Sequence, residues 1–204
     1  MRDPSATTAP PILGQKPQMG WNSWNHFHCN INSKIIESAA DNVISLGLKD
    51  LGYNYINIDD CWQSMSRASN DHIVPDPTKF PNMTAVGEYI HEKGLLFGIY
   101  SSAGTKTCGG FPGGLGHETD DAEDYAKWGV DYLKYDNCYN LGVAATKRYG
   151  DMAAALKKAT NATTGGTGRE IFYSICNWGD EQVAEWGNTM ANSWRTTQDI
   201  EIYS

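Results

Sequence analysis

The feature that most restricts the fold of this chain is the alternation of short β-rich runs with helical stretches. The first five β-rich runs begin roughly 35 to 40 residues apart, and polar or glycine-rich sequence follows each of them. The six runs are Met19–Trp24, Tyr53–Asp59, Leu95–Tyr100, Val130–Tyr135, Ile171–Ile175 and Ser193–Ile200. The third and fourth runs are apolar on both faces except at their ends, as a parallel sheet covered by helices requires.

Helical patterns separate most of these runs. The clearest one begins at Ser33, a good N-cap residue, and stops at Gly47, with its apolar residues on one face. The predicted helices are Ser33–Gly47, Thr84–Gly94, Thr119–Gly129, Thr146–Ala159 and Asp180–Ala191. The third helix begins with four acidic residues within residues 120–124, which resemble a metal cluster but fit the positive end of a helix dipole better.

Repeated strand–helix units predict an α/β fold, and their scale predicts a (β/α)8 TIM barrel. A doubly wound sheet is the alternative, but it needs a glycine-rich turn after its first strand, and residues 21–30 do not supply one. A complete barrel takes about 250 residues, whereas six strands are predicted here. We therefore expect residues 1–17 to be an N-terminal extension and residues 18–204 to be an incomplete barrel without its last two units.

Charge and hydropathy argue against several classes of function. Sixteen lysines and arginines against 24 aspartates and glutamates give a formal net charge of −8, so no nucleic-acid partner is expected. No run approaches the roughly 18 apolar residues of a membrane span, and the N-terminus lacks the apolar stretch of a signal peptide.

Metal binding is not expected either. The five cysteines form no C-x-x-C pair, so the sequence offers neither a zinc knuckle nor a thioredoxin-like motif. His26 and His28 lie beside Cys29, and we interpret them as packed or surface histidines rather than metal ligands. The sequence therefore predicts no metal and no other cofactor.

Acidic and basic side chains collect where predicted strands end. Residues two apart in a strand share a face, so Lys134 and Asp136 are predicted to project together, with the lysine keeping the carboxylate ionised. Arg195 and Asp199 alternate in the same way along the sixth predicted strand. Two carboxylates on strands two apart can face each other across the mouth of a barrel.

The second predicted strand ends in two adjacent acids, Asp59 and Asp60, which repel unless each accepts hydrogen bonds, for instance from sugar hydroxyls. Paired carboxylates without a phosphate loop or a serine or cysteine nucleophile motif indicate glycoside hydrolysis. Four tryptophans could stack on sugar rings, although each is equally typical of a core: Trp21, Trp24, Trp62 and Trp178.

Six ordered motifs are distributed along nearly the whole chain from Gln18 onward. They are MGWNSWNHFHCN, YINIDDCW, GIYSSAGTKTCGGFPGG, DYLKYDNC, YSICNWG and SWRTTQDI. In sequence and order they resemble the alpha-galactosidases, or melibiases, of glycoside hydrolase family 27. The resemblance implies a (β/α)8 catalytic barrel followed by a C-terminal antiparallel β domain, which we expect this chain to lack.

The resemblance also implies roles for individual residues. It makes Asp136 the nucleophile and Asp199 the acid/base, and it places Asp59 and Asp60 against the axial O4 and the O6 of galactose. Asn177 is expected to face the 2-substituent of the sugar, at a position where many relatives carry glutamate. The remaining implied substrate-binding residues are Trp21, Tyr100, Lys134, Cys176, Trp178 and Arg195.

The implied reaction is removal of terminal alpha-D-galactosyl residues from oligosaccharides, polysaccharides or glycolipids, by double displacement with retention. The expected partner is a galactose-containing carbohydrate, and no oligomeric state is predicted. Two related activities, alpha-N-acetylgalactosaminidase and beta-L-arabinopyranosidase, are alternatives. A further alternative is a non-catalytic galactose-binding fragment, because an incomplete barrel exposes two sheet edges.

The resemblance further implies two disulfides, Cys29–Cys61 and Cys108–Cys138, which leave Cys176 as a free thiol. Two glycosylation sequons begin at Asn82 and Asn161. Disulfides and sequons together predict a secreted, lysosomal or vacuolar glycoprotein.

Overall fold

The computed structural model describes residues 13–200, so most of the expected N-terminal extension, residues 1–12, and residues 201–204 lie outside the described part. Over the described range, six parallel strands form one sheet in sequential order. The strands are β1 Gly20–Asn22, β2 Tyr55–Asn57, β3 Leu96–Ser102, β4 Tyr132–Asp136, β5 Phe172–Cys176 and β6 Ser193–Trp194. Sequential parallel pairing with intervening helices confirms the prediction of an open, truncated (β/α) barrel.

The helices cover the outer face of this sheet. They are α1 Trp24–Phe27, α2 Ser33–Ser45, α3 Met83–Glu92, α4 Glu118–Lys127, α5 Ala145–Thr160 and α6 Val183–Trp186. The N-cap of α2 is Asn32, whose side chain accepts the backbone N–H of Ile35 at 3.0 Å, so the prediction of Ser33 as the cap was wrong by one residue. Gly47 has a φ of +70° and follows the end of α2, as predicted.

The core lies between the strands and the apolar faces of the helices. The side chains of Ile56, Phe97, Ile99 and Leu133 are fully buried in the middle of the sheet. Gly98 allows a close approach in β3, because a Cβ there would lie 1.8 Å from Oδ1 of Asn57 on β2. Burial on both faces explains why these strands are nearly continuous apolar runs.

Two predicted elements are wrong in part. The sixth strand was predicted to run to Ile200, but it ends at Trp194, so residues 195–200 do not alternate across a sheet. The helix predicted over Asp180–Ala191 is reduced to α6 with a 3₁₀ turn on each side. Glu181 and Gln182 take positive φ values of 50° and 56°, which interrupt a regular helix there.

The acidic run at the start of α4 does more than complement the helix dipole. Asp120 and Asp121 lie in the first turn as predicted. However, Asp121 is fully buried and receives two hydrogen bonds from the guanidinium of Arg67, at 2.6 and 2.8 Å. Asp124 contacts His72 at 2.8 Å. These contacts fasten the long connection between β2 and α3 to α4.

The disulfides Cys29–Cys61 and Cys108–Cys138 are both present, and Cys176 is free and buried, so the pairing is confirmed. Both His26 and His28 are exposed and pack edge-on against neighbouring aromatic rings, as expected for surface histidines. Among residues 13–200, none of the helices has the length and apolar composition needed to cross a bilayer.

Candidate active site

A cleft of about 950 Å³ opens at the carboxyl ends of the strands. Nine of the eleven predicted catalytic and substrate-binding residues line it: Trp21, Asp59, Asp60, Tyr100, Lys134, Asp136, Trp178, Arg195 and Asp199. Residues far apart in sequence meet there because parallel strands present all their carboxyl ends at one edge of the sheet. This cleft is the candidate active site.

Asp136 is the last residue of β4 and is held by three donors. The hydroxyl of Tyr100 donates to Oδ2 at 3.0 Å, while Nε1 of Trp178 and the backbone N–H of Asn137 donate to Oδ1 at 2.9 and 2.8 Å. Burial and the neighbouring carboxylate of Asp136 raise the pKa of Tyr100, so the phenol remains a donor. The three bonds fix the carboxylate in one orientation within the cleft.

Lys134 and Asp136 both line the cleft, but the ammonium group of Lys134 pairs with a different carboxylate. Its Nζ donates instead to Oδ2 of Asp59 at 2.8 Å, across to the end of β2. Asn22 donates from Nδ2 to the same oxygen, also at 2.8 Å. Burial by itself would lower the pKa of Lys134, but the nearby acidic groups, with Asp59 first and Asp136 among them, together outweigh burial and raise that pKa.

The chain bends at residues 60 and 61, after β2, and both Asp59 and Asp60 line the cleft. Cys61, the residue after Asp60, has a φ of +77°, in the left-handed region that residues other than glycine rarely adopt. The carboxylate of Asp60 accepts the backbone N–H groups of Cys61 and Gly109, each at 2.7 Å. Burial nevertheless raises the pKa of Asp60 above its usual value.

Arg195 and Asp199 lie beyond β6 and meet through a turn rather than through strand alternation. The guanidinium of Arg195 hydrogen-bonds the carboxylate of Asp199, whose side chain is 79% exposed at the edge of the cleft. Burial alone would lower the pKa of Arg195, but this bond raises it. The predicted pair therefore exists, with a different local backbone.

Two predicted binding residues lie behind the wall of the cleft. Cys176 is buried, with its Sγ 3.7 Å from the guanidinium of Arg195, and burial raises the pKa of its thiol to about 12. Asn177 is fully buried and donates from Nδ2 to the carbonyl of Asp180 at 2.7 Å. Their roles toward a sugar remain predictions.

The tryptophans divide between the cleft and the core. Trp21, Trp24 and Trp178 line the cleft. Trp62 is fully buried and donates its indole N–H to the carbonyl of Tyr100 at 2.8 Å. The prediction that Trp62 could stack on a sugar is therefore wrong. The predicted aromatic contribution to the site therefore comes from three side chains.

Sequence reasoning missed Asn22 and the backbone of Gly109. Asn22 ends β1 and lies beside Asp59, and Gly109 supplies an N–H to Asp60 from the loop that the Cys108–Cys138 disulfide anchors. The signal for Asn22 was available, since a polar residue at the end of a predicted barrel strand faces the site.

One group of potential metal ligands lies in the described part of the chain. Single ligand atoms of Cys108, Asp136 and Cys138 lie within 4.8 Å of one another. The two sulfurs are joined in a disulfide and offer no thiolate, so this group has only one carboxylate with which to hold a metal.

Comparison with known proteins gives consistent matches. The family model Melibiase_2, described as alpha galactosidase A, matches residues 16–202. Alpha-galactosidase 3 of Arabidopsis thaliana is 53% identical over 189 residues, which are 92% of this chain and 41% of the plant protein. The alpha-galactosidase of Cyamopsis tetragonoloba is 51% identical over 191 residues, or 93% of this chain and 44% of the relative.

Solved structures that match this chain are alpha-galactosidases as well. The crystal structure of alpha-galactosidase I from Mortierella vinacea matches with a TM-score of 0.88 and 48% identity, covering 95% of this chain and 48% of that one. The alpha-galactosidase of Saccharomyces cerevisiae with raffinose matches with a TM-score of 0.83 and 48% identity, covering 90% and 40%. The chain thus spans less than half the length of these relatives.

Proposed function

Because the chain belongs to the alpha-galactosidase (melibiase) family, glycoside hydrolase family 27, we propose that it removes terminal alpha-D-galactosyl residues from carbohydrates. Residues 18–204 would then be six units of the catalytic barrel. One relative was solved with raffinose, which supports a galactose-containing carbohydrate as the substrate here.

The proposed first step is attack by Asp136 on the anomeric carbon. The hydrogen bonds from Tyr100 and Trp178 orient the carboxylate of Asp136 and hold it in place in the cleft. Asp199 protonates the departing glycosidic oxygen, and the products of this step are the free leaving group and a covalent galactosyl ester on Asp136. The exposed position of Asp199 at the cleft edge supports contact with a leaving group that points to solvent.

In the proposed second step, Asp199 takes a proton from water as the water attacks the same anomeric carbon. The ester bond to Asp136 breaks, galactose leaves with its configuration retained, and both carboxyl groups regain their starting protonation. The guanidinium of Arg195 hydrogen-bonds the carboxylate of Asp199 and so orients it at the edge of the cleft.

Galactose recognition is assigned to the acidic pair beside this centre. Asp59 is held by Lys134 and Asn22, and Asp60 by two backbone N–H groups. Both carboxylates keep lone pairs that can accept sugar hydroxyls. A buried acceptor that loses its hydroxyl partner costs free energy, which disfavours glucosides, whose O4 is equatorial.

The observation that carries the proposal is the position of Asp136. It ends a barrel strand, lies in the cleft at the carboxyl ends of the strands, and accepts hydrogen bonds from two aromatic donors on neighbouring elements. This is the location and support that a nucleophile on a (β/α) barrel needs.

Galactose release from 4-nitrophenyl alpha-galactoside, measured on this chain and on Asp136→Ala, tests the proposal. We expect release by the wild-type chain and loss of release in the variant. A matched control is Asp151→Ala, which removes an exposed carboxylate on α5. Binding of galactose without release would favour the non-catalytic alternative.

Localisation is part of the proposal as well. Two disulfides form readily in oxidising compartments, which supports a secreted, lysosomal or vacuolar protein. Asn82, the first sequon, is exposed at the N-cap of α3 and accepts the N–H of Ala85 at 3.1 Å. A mass shift after glycosidase treatment of the secreted protein would establish glycosylation.

A further inference from the structure

Arg148 on α5 is a fully buried cation that lies behind the catalytic cleft and has no part in the reaction proposed above. Its side chain is 0% exposed, and its ion-pair partner Glu181 lies 3.6 Å away with a side chain that is 47% exposed. A buried charge costs free energy unless hydrogen bonds and a counter-ion compensate for the lost water. The contacts of this guanidinium therefore indicate what it does.

The guanidinium donates hydrogen bonds to three separate segments around the proposed nucleophile. Nη2 donates to Oδ1 of Asn137 at 2.9 Å, and Nη1 donates to the carbonyl of Ala103 at 3.0 Å. Nε donates to the carbonyl of Val143 at 2.6 Å, just before α5. The planar guanidinium holds acceptors in three fixed directions, which the compact ammonium group of a lysine does not do.

Two of these segments hold Asp136 directly. The backbone N–H of Asn137 donates to Oδ1 of Asp136 at 2.8 Å, and the backbone N–H of Ala103 donates to the carbonyl of Asp136 at 2.8 Å. The same carbonyl accepts the hydroxyl of Tyr149, the residue after Arg148, at 3.0 Å. The backbone at Asp136 is therefore held by groups that Arg148 and its neighbour fix in place.

Glu181 connects the same guanidinium to residues 177–181, which we call the Trp178 turn. Its carboxylate also accepts the backbone N–H of Ala145 at 2.9 Å, at the start of α5, where the N-cap residue makes no side-chain hydrogen bond. Trp178 and Glu181 have φ values of 63° and 50°, and such backbone persists where the surrounding contacts enforce it. Trp178 donates its indole N–H to Oδ1 of Asp136, so the position of this turn sets the direction of that donor.

We propose that Arg148 is a positioning residue for the nucleophile, which fixes Asn137 and the Trp178 turn together and so orients the carboxylate of Asp136. The proposal rests on the function proposed above. Oδ1 of Asp136 accepts hydrogen bonds from both Asn137 and Trp178, and the guanidinium holds the supports of both donors. A displacement of a reacting group by about 1 Å can lower a rate by about a hundredfold, so a residue that does not touch the sugar can determine this step.

Arg148→Lys tests the proposal, because it keeps the positive charge and loses the planar set of donors. We expect the rate constant for labelling of Asp136 by a 2-deoxy-2-fluoro galactosyl donor to fall about tenfold or more per folded molecule. The Kd of galactose should stay within about twofold, since its recognition is assigned to Asp59 and Asp60. Glu181→Gln removes the counter-charge and should lower the labelling rate by a smaller factor.

Two control variants separate positioning from a loss of stability. Arg67→Met removes another largely buried guanidinium, which pairs with Asp121 on α4, and Glu185→Gln removes an exposed carboxylate on α6. Neither should change the labelling rate per folded molecule more than about twofold, with the folded fraction measured by circular dichroism. A fall in Arg148→Lys no larger than that in Arg67→Met, or equal losses of labelling rate and galactose affinity, would overturn the proposal.

A second measurement follows the hydrogen bond of Trp178 and needs no turnover. In heteronuclear NMR spectra, the indole N–H signal of Trp178, assigned with Trp178→Phe, should shift and exchange faster with solvent in Arg148→Lys than in the wild-type chain or in Arg67→Met. An unchanged signal would overturn the proposal. If Arg148→Lys does not fold, Glu181→Gln decides, and an unchanged labelling rate or an unchanged Trp178 signal in that variant overturns it.

Failure of the proposed function gives a different result from failure of the positioning role. If the wild-type chain is neither labelled by the fluorinated donor nor active on 4-nitrophenyl alpha-galactoside, the function proposed above fails for this chain. The NMR comparison of the wild-type chain, Arg148→Lys and Arg67→Met then decides by itself whether Arg148 positions the carboxylate of Asp136.

Discussion

Lys134 and Asp59 form a 2.8 Å ion pair that joins the end of β4 to the end of β2. The lysine that lies two residues before the proposed nucleophile thus donates its hydrogen bond to Asp59, a residue of the proposed galactose-binding pair. Asn22 binds the same oxygen of Asp59, so two donors from separate strands hold one carboxylate. This arrangement depends on how the sheet brings the ends of β1, β2 and β4 together, and not on the alternation of side chains along one strand.

The first prediction concerns this pair. Asp59→Asn should lower the ratio of galactoside to glucoside kcat/KM by about tenfold or more, because one charge-assisted hydrogen bond is worth about 1.5 to 3 kcal/mol. Lys134→Met should lower the ratio too, and the double variant should lose less than the sum of the two. Additive losses in this cycle would show that the lysine acts independently of Asp59.

The second prediction concerns pH. Burial raises the pKa of Asp60 above 3.8, its value in the unfolded chain. Between 3.8 and the raised pKa the folded state binds more protons than the unfolded state, so stability falls as pH rises through this interval. Relative to Asp60→Asn, the wild-type chain should therefore lose unfolding free energy between about pH 3 and the raised folded-state pKa.

Asp76 provides the matched control with the opposite sign. Hydrogen bonds from the side chain and backbone of Thr78 lower its pKa, so its contribution to stability is present above 3.8 and lost as pH falls. Urea titrations of both asparagine variants across this range measure the two slopes. Slopes of the same sign would contradict the assignment for Asp60.

The third prediction assigns the acid. Asp199→Ala should reduce kcat/KM strongly for substrates with poor leaving groups, such as raffinose, and much less for alpha-galactosyl fluoride, because acid assistance matters least for a good leaving group. Steady-state kinetics on both substrates measure the difference. A loss of equal size for the two would remove Asp199 from this role.

The fourth prediction concerns stability away from the site. Arg67→Met leaves the fully buried carboxylate of Asp121 without its bidentate partner, and we expect a loss of about 3 to 5 kcal/mol in the free energy of unfolding. The exposed pair of Lys147 and Asp151 serves as control, and Lys147→Met should change stability little. Similar losses of unfolding free energy in both variants would show that burial of the Asp121 carboxylate does not make its ion pair more important than an exposed one.

The sequence predicted the strands and their order well, and the reason is physical. Strands buried on both faces must be apolar throughout, so β3, β4 and β5 were located to within two residues at each end. The polar residues just after them were therefore placed correctly at the mouth of the barrel. Most of the cleft lining follows from this single pattern.

The contacts within the site could not be predicted in the same way. Asp59 and Lys134 are 75 residues apart, and their pairing depends on the turn at Cys61 and on the spacing of the strands. Arg195 and Asp199 fit strand alternation, yet a separation of four also fits a turn, which is what the chain forms. Local periodicity does not distinguish these two possibilities.

The most direct test of the account is the covalent intermediate on Asp136. A 2-deoxy-2-fluoro galactosyl donor with a good leaving group reacts in the first step and hydrolyses slowly in the second, so the ester accumulates. Mass spectrometry of the intact and digested chain should show one added 2-deoxy-2-fluorogalactosyl group, on the peptide that contains Asp136, and none in Asp136→Ala. Turnover of the unmodified substrate with no adduct, or with an adduct on another carboxylate, would contradict the proposed mechanism.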